Sequence, residues 1–442
     1  MEAEGPPVEL HLHFWGCIRP ADLLRQIVSA DPAQLFWEDY EAAMRAAFGA
    51  VPSVRELVER HRAGDPDAEA AFAEIFVMGP ADAGNFARFG AKYELLFVAS
   101  ERGDSVEAIE DEVKAFAPGI RADHASQGIV HAELRILLGP DLREPESAAT
   151  IDTLLGVLGP DHRLVLSLDR ADPWPGWERV RELALEPRGE GLVGIDFCAA
   201  EEGHPPKNVA RLFAAVYEFN AAHPERALAI LYHVGESFTD KSLESAVRWV
   251  QQAAEFGAHR LGHAIALGID PDRFGEHTRT ESAAERIDQI DYDLEHASRL
   301  IEMGVPVHSA ALSAERATLV TGPADAVVTI TYDRARLAEV RARQRYAMAR
   351  VCATGAIVEV CPTSNLLIGG IDNPAHHPVH RFHAEGLPFV VSSDDPGIFG
   401  TTLSAELDWV CEQTRGGAEL RSQLLRRAWE SRSEVLSGRS AG

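Results

Sequence analysis

The chain has 442 residues, 46% of them hydrophobic and 25% charged, enough to bury a large core as one big domain or two to three average ones. Its formal net charge of −27 argues against general binding to a nucleic-acid backbone, and leaves open a small or cationic ligand or a locally basic pocket. Five scattered cysteines without C-x-x-C spacing argue against a disulfide framework. With no leader-like segment and no apolar run near 18 residues, they predict a soluble cytoplasmic protein that makes no membrane contact.

Val8 to His13 alternates apolar and polar residues before Gly16, as a short buried strand does, and Ala21 to about Arg60 carries helix spacing. Segment 62–85 is rich in Ala, Asp and Gly. Helical patterning returns over Phe86–Ala99 and Ser105–Phe116. From there strands and helices alternate. Strands are expected at Ile129–Leu137, Leu164–Asp169, Leu192–Ala199, Leu228–Glu236, Arg260–Ala266, Ala356–Pro362 and Phe389–Asp394. Helices are expected at Ser147–Leu158, around Trp177–Leu185, and at Pro206–His223, Leu243–Phe256 and Pro378–Glu385. Counting Val8–His13, eight strands in a βα alternation predict an α/β fold, a closed (β/α)8 TIM-type barrel forming a single domain over 1–442. The interval 270–345 is too long for an ordinary βα connection. It reads as a largely helical insertion between strands six and seven, with one β-like run at Ala326–Tyr332, serving as a lid or an oligomer contact.

In such a barrel chemistry sits where strands end, and the polar residues of this chain cluster there. Leu231–Ser237 (LYHVGES) carries His233 and, three residues on, Glu236: a metal-type ligand beside a proton-carrying carboxylate. His11 and His13 share one face of the first strand, so both imidazoles can reach one ion. His233 and Asp394 complete a nitrogen and carboxylate set suited to Zn²⁺. Taken alone, an H-x-H pair or an acidic pair before Pro396 is as readily a surface or turn feature; the agreement between topology and ligand chemistry favours a metal. Cys198 and Cys361 read as small apolar fillers. The cluster His376, His377, His380 and His383, on a Pro-interrupted loop, reads as loop packing rather than a second metal site.

HLHFWG, HVGE, RLGHA, EVCPTSN and SSDDP stand in this order at the ends of strands one, five, six, seven and eight. This ordered set resembles the adenosine deaminase branch of the metal-dependent amidohydrolases, over most of the chain outside 62–85 and 270–345. The resemblance implies one Zn²⁺ per chain, held by His11, His13, His233 and Asp394, and hydrolytic release of ammonia from a small purine-like substrate. It gives Glu236, His263 and Asp394 catalytic roles: Glu236 protonates a ring nitrogen, and His263 orients the attacking water and stabilises charge. His13, Gly235 and Asp395 would face the substrate, Asp395 at the N7 side. Glu359 and Ser364 would fix the strand-six histidine.

Two positions depart from that pattern. Trp15 stands where an acidic residue would accept a sugar hydroxyl, and an indole only donates. Ala199 stands where a glycine would offer its N–H to the ring. The expected substrate is therefore a base, a modified nucleoside or another aminated heterocycle. For a nucleotide, Arg19, Arg336, Arg341 or Arg343 would meet the phosphate. The competing readings are hydrolysis of a different aminated heterocycle or amide bond, and a catalytically degenerate barrel used for binding or assembly. The insertion leaves a homo-oligomer open.

Overall fold

The computed structural model describes residues 5–99, 106–323 and 325–440. Eight strands form the barrel wall. They are β1 (Val8–His13), β2 (His131–Leu137), β3 (His162–Ser167), β4 (Leu192–Asp196), β5 (Ala229–Val234), β6 (Arg260–His263), β9 (Ile357–Val360) and β10 (Phe389–Val391). They are parallel and neighbour one another in that order. The wall closes where the last strand meets the first. Leu12 bridges Asp394, the Asp394 amide donates to the His11 carbonyl at 3.0 Å, and the His13 amide donates to the Asp394 carbonyl at 3.1 Å.

The period-2 alternation of β1 sorts its side chains by face. Val8 and Leu10 pack outward with Val390 and Ala428. Glu9, His11 and His13 face the barrel interior, where their partners Ser393, Glu359 and Asp394 come from β9 and the turn after β10. The same alternation puts Glu133 and Arg135 of β2 inside, paired with Arg260 of β6 and Glu359 of β9. At the far end the Ser433 amide and hydroxyl donate to Glu133, so the C-terminal segment seals the floor. Apolar residues of the surrounding helices and outward strand faces form one continuous core.

Every predicted barrel strand is present, most of them shorter than the apolar run that signalled it. The helical stretch expected over Ala21–Arg60 is three helices, Pro20–Ser29, Glu38–Phe48 and Val54–Arg62, interrupted by proline-containing turns. The composition-biased segment 62–85 contains a further helix, Ala68–Phe76, whose Phe72 and Phe76 are fully buried. The helix expected from Ser105 runs over Val106–Ser126, and Ser105 lies outside the described residues.

Between β6 and β9 the chain forms an antiparallel hairpin, β7 (His277–Ser282) with β8 (Val327–Tyr332), followed by the long helix Arg334–Thr354. Helices Ala283–Glu295, Ala297–Glu302 and Ser309–Val320 lie between the hairpin strands. This segment is bound to helix Leu243–Phe256 by buried polar contacts. Arg248 bonds Gln289 at 3.1 Å, the Trp249 indole donates to Glu285 at 2.9 Å, and Arg336 bonds Glu244 at 2.6 Å. No helix among the described residues is long and apolar enough to cross a membrane.

Candidate active site

The ends of β1 and β5 bring His11, His13 and His233 together, with one ligand-type atom of each within 4.8 Å of the others. Asp394, just beyond β10, places Oδ1 3.3 Å from His13 Nε2 and 3.5 Å from His11 Nε2. Burial makes orientation decisive. His11 Nδ1 bonds Glu359 Oε2 at 2.8 Å, and His233 Nδ1 bonds Asp196 Oδ1 at 3.1 Å. Each carboxylate fixes the Nδ1–H tautomer and turns the Nε2 lone pair inward. Those two Nε2 atoms are buried and have no hydrogen-bond partner among the described residues, a cost that a bound cation removes. Three imidazoles and one carboxylate converging in this way fit a divalent metal ion.

Asp394 and His263 both adopt left-handed backbone, with φ of 63° and 61°, and Ala264 follows His263 at 47°. Such conformations cost about 1–3 kcal/mol each for non-glycine residues. At Asp394 the cross-strand bonds to His11 and His13 hold the turn in place. Gly262 leaves room for the ligands, since a Cβ there would stand 3.1 Å from His233 Cγ and 3.2 Å from His11 Cε1.

His263 Nε2 is 3.5 Å from Glu236 Oε2 and 3.9 Å from Asp394 Oδ2. Burial holds the His263 imidazole neutral, well below its usual range. The Glu236 carboxyl moves the other way: burial, reinforced by the Asp394 charge, pushes it well above the carboxylate range. Its side chain keeps 23% exposure, enough to meet a ligand. Asp394 and Asp395 divide in the same manner. Burial opposes ionisation of Asp394, but His11 and His13 hold it charged, while burial and the Asp394 charge push Asp395 up to about 8.

All of these groups open into one cavity of about 300 Å³, lined by His13, His233, Glu236, His263, Asp394 and Asp395. Trp15, Phe89 and Tyr93 supply its apolar wall, and Trp15 stands edge-on to Phe14 and Phe97. Gly16 must lack a side chain, because a Cβ there would collide with the Asp395 carboxylate. Gly235 is held at φ 69° against Val250 and Ala266, behind the pocket. Ala199 lines the adjoining lobe, and its carbonyl accepts from Arg170 at 2.8 Å.

Several expectations require correction. Glu359 braces His11, not the strand-six histidine. His263 Nδ1 is instead met by the Asn365 side-chain amide at 2.9 Å, and the Ser364 hydroxyl has no partner among the described residues. The arginines considered for phosphate are engaged elsewhere. Arg19 pairs with Asp123, Arg336 with Glu244, Arg341 with Asp270 and Asp272, and Arg343 with Asp293. Cys198 is no filler. It lines the pocket and bonds the Ser167 hydroxyl. Asp196, Arg135 and Asn365 were missed. Their only sequence signal was charge or amide inside or just beyond an apolar strand run.

The fold and site define a (β/α)8 barrel whose strand ends carry a cluster of histidines and carboxylates able to hold a metal ion. Residues 310–431 match the family model described as adenosine deaminase. An aminodeoxyfutalosine deaminase of Acidothermus cellulolyticus is 50% identical over 52 residues, 12% of this chain and 15% of the relative. An adenosine deaminase of Mycobacterium tuberculosis is 23% identical over 233 residues, 53% of this chain and 43% of the relative. The chain thus aligns with less than half the length of these curated relatives. The Arabidopsis N6-mAMP deaminase structure superposes with a TM-score of 0.53 at 17% identity, covering 97% of this chain and 94% of that one, which shows a shared fold. Residues 310–431 are thus similar to the adenosine deaminase family, and the chain as a whole shares the fold of the Arabidopsis structure.

Proposed function

We propose that this protein is a Zn²⁺-dependent hydrolytic deaminase of an adenine-type purine, releasing ammonia. The observation that carries the reading is the placement of Glu236, His263 and Asp395 in one pocket with the inward-facing histidine ligands and Asp394. His11, His13, His233 and Asp394 would hold the ion, which when bound supplies Lewis acidity and a nucleophilic water at neutral pH.

The chain's own groups do the remaining work. Glu236, kept protonated by its surroundings, donates to the ring nitrogen beside the amine-bearing carbon and so makes that carbon electrophilic. His263, neutral and fixed through Nδ1 by Asn365, orients the attacking water and takes up charge as the carbon becomes tetrahedral. Asp395, in the same pocket, holds a proton at its raised pKa and bonds the second ring nitrogen. Trp15, Phe89 and Tyr93 exclude bulk water from the ring faces. The relatives named above act on adenosine and aminodeoxyfutalosine, and the structural neighbour on N6-mAMP, which supports an aminopurine as the common element.

Ammonia release across a panel of aminopurines and their nucleosides tests this reading. At least one should be turned over, and Glu236→Gln should retain metal while losing roughly 10²- to 10⁴-fold in kcat. Full activity in that variant removes the proposed acid. Silence across the panel in zinc-loaded protein removes the reaction.

A further inference from the structure

Past Glu236 the catalytic cavity continues into a second lobe of about 680 Å³, and the two share Phe86, Cys198, His233, Glu236 and Ile368. The lobes differ in chemistry. The first presents the aromatic surface of Trp15, Phe89 and Tyr93, with Glu94 among its lining residues. The second is walled by Glu202, Ser237, Thr239 and Arg279. Glu202 comes from the loop after β4, Ser237 and Thr239 from the loop after β5, and Arg279 from hairpin strand β7.

These groups form an organised surface. The Ser237 and Thr239 hydroxyls both donate to Glu202 Oε1, the latter at 2.9 Å, and the carboxylate keeps lone pairs to accept from a group entering the lobe. Burial opposes its ionisation, but the Ser237 hydroxyl, its own backbone amide and the Thr239 hydroxyl hold the Glu202 carboxyl below its usual range. Arg279 donates Nη2 to the Phe238 carbonyl and faces the same space. Arg170, the other cation of the wall, spends Nε and Nη2 on the carbonyls of Ala199, Phe197 and His233.

We propose that the second lobe is a subsite for a neutral, hydroxyl-bearing substituent of the substrate, with Glu202 receiving its hydroxyl protons. A hydroxyl both donates and accepts, so one such group satisfies Glu202 on one side and Arg279 on the other. A phosphate would meet the charged Glu202 carboxylate, and Arg170 has spent Nε and Nη2 on carbonyls, which leaves Arg279 as the main guanidinium to offset that charge. A cationic group would meet Arg279 and the buried ammonium of Lys241 behind Glu201. The wall of Glu202, Ser237, Thr239 and Arg279 suits hydroxyls, which makes this lobe the route for the polar part of the substrate.

The subsite rests on the aminopurine reading, and the experiment separates the two. Adenine, adenosine and AMP are compared by ammonia release, and hypoxanthine and inosine by equilibrium binding, in wild-type protein, Glu202→Gln, Thr239→Val and Arg279→Met. In the wild type, adenosine should exceed adenine in kcat/KM by about tenfold or more, and AMP should not exceed adenosine. Glu202→Gln should collapse the adenosine advantage to within about threefold, and Thr239→Val should reduce it less. An adenosine advantage unchanged in Glu202→Gln overturns the subsite, as does AMP preferred by about tenfold with that preference lost in Arg279→Met. If no compound releases ammonia but inosine outbinds hypoxanthine only while Glu202 is present, the reaction fails and the subsite stands. Equal binding of the two, or none, overturns the subsite.

Discussion

Arg135 Nη2 lies 2.5 and 2.6 Å from the two carboxylate oxygens of Glu359, and both residues are fully buried. The same guanidinium reaches Asp196 at 3.4 Å through Nη1. Glu359 orients His11 and Asp196 orients His233, so one cation on β2 ties the supports of two candidate ligands from opposite sides of the barrel. Arg135→Met leaves Asp196 without its guanidinium and Glu359 with Arg260 alone. We expect a loss of about 3–5 kcal/mol in stability and a 10- to 100-fold weaker metal affinity. Chemical unfolding and chelator competition measure the two effects, and wild-type affinity in a folded variant would contradict the link.

Gly262 tests how closely the histidines are packed. A methyl group there meets His233 and His11 within 3.2 Å, inside ordinary van der Waals contact. Gly262→Ala should keep the barrel and displace one imidazole. Shifts on the ångström scale cost about 10²-fold in activity, so kcat should fall that far while the circular dichroism spectrum is preserved.

Lys241 is fully buried, with its ammonium 4.1 Å from the centre of the Trp249 ring. It bonds Asp240 at 2.7 Å, the Ser237 carbonyl at 3.2 Å and Glu201 at 3.3 Å, and Glu201 in turn accepts the Glu236 amide. The loop carrying Glu236 is therefore pinned from beneath. Lys241→Gln should lower kcat by about tenfold or more and leave metal content unchanged. Steady-state kinetics with metal analysis would separate this from loss of the ion.

His124 and His162 form a buried pair far from the metal-type ligands, with Nδ1 2.9 Å from Nε2 and the rings stacked. Burial lowers them to about 4 and about 3. The unfolded chain, with histidines near 6.5, takes up protons first, so stability is full above pH 6.5 and falls as pH drops toward 4. At pH 5 the pair should have lost roughly 2–4 kcal/mol. His162→Gln keeps an acceptor and should flatten the dependence of unfolding free energy between pH 6.5 and 5. A slope equal to the wild type would contradict this.

The barrel was legible because its strands are short apolar runs spaced by helices, and the site because its groups stand where those runs stop. What escaped lacked a local signature. Strand β7 reads HTRTES, polar and half exposed, and is a strand only because β8 pairs with it. Arg135 and Asp196 sit in apolar strands as isolated charges, and their purpose depends on which carboxylate or imidazole a different strand delivers. The assignment of Glu359 to His263 failed for the same reason: position along a strand does not say which neighbour's histidine a buried carboxylate reaches.

The account depends on His11, His13, His233 and Asp394 sharing one ion. Metal content of the purified, zinc-supplemented protein, compared with His233→Ala, tests this most directly. The account predicts about one zinc per chain in the wild type and near none in a folded His233→Ala variant. Less than about one ion per two wild-type chains, or equal zinc in both proteins, would contradict it.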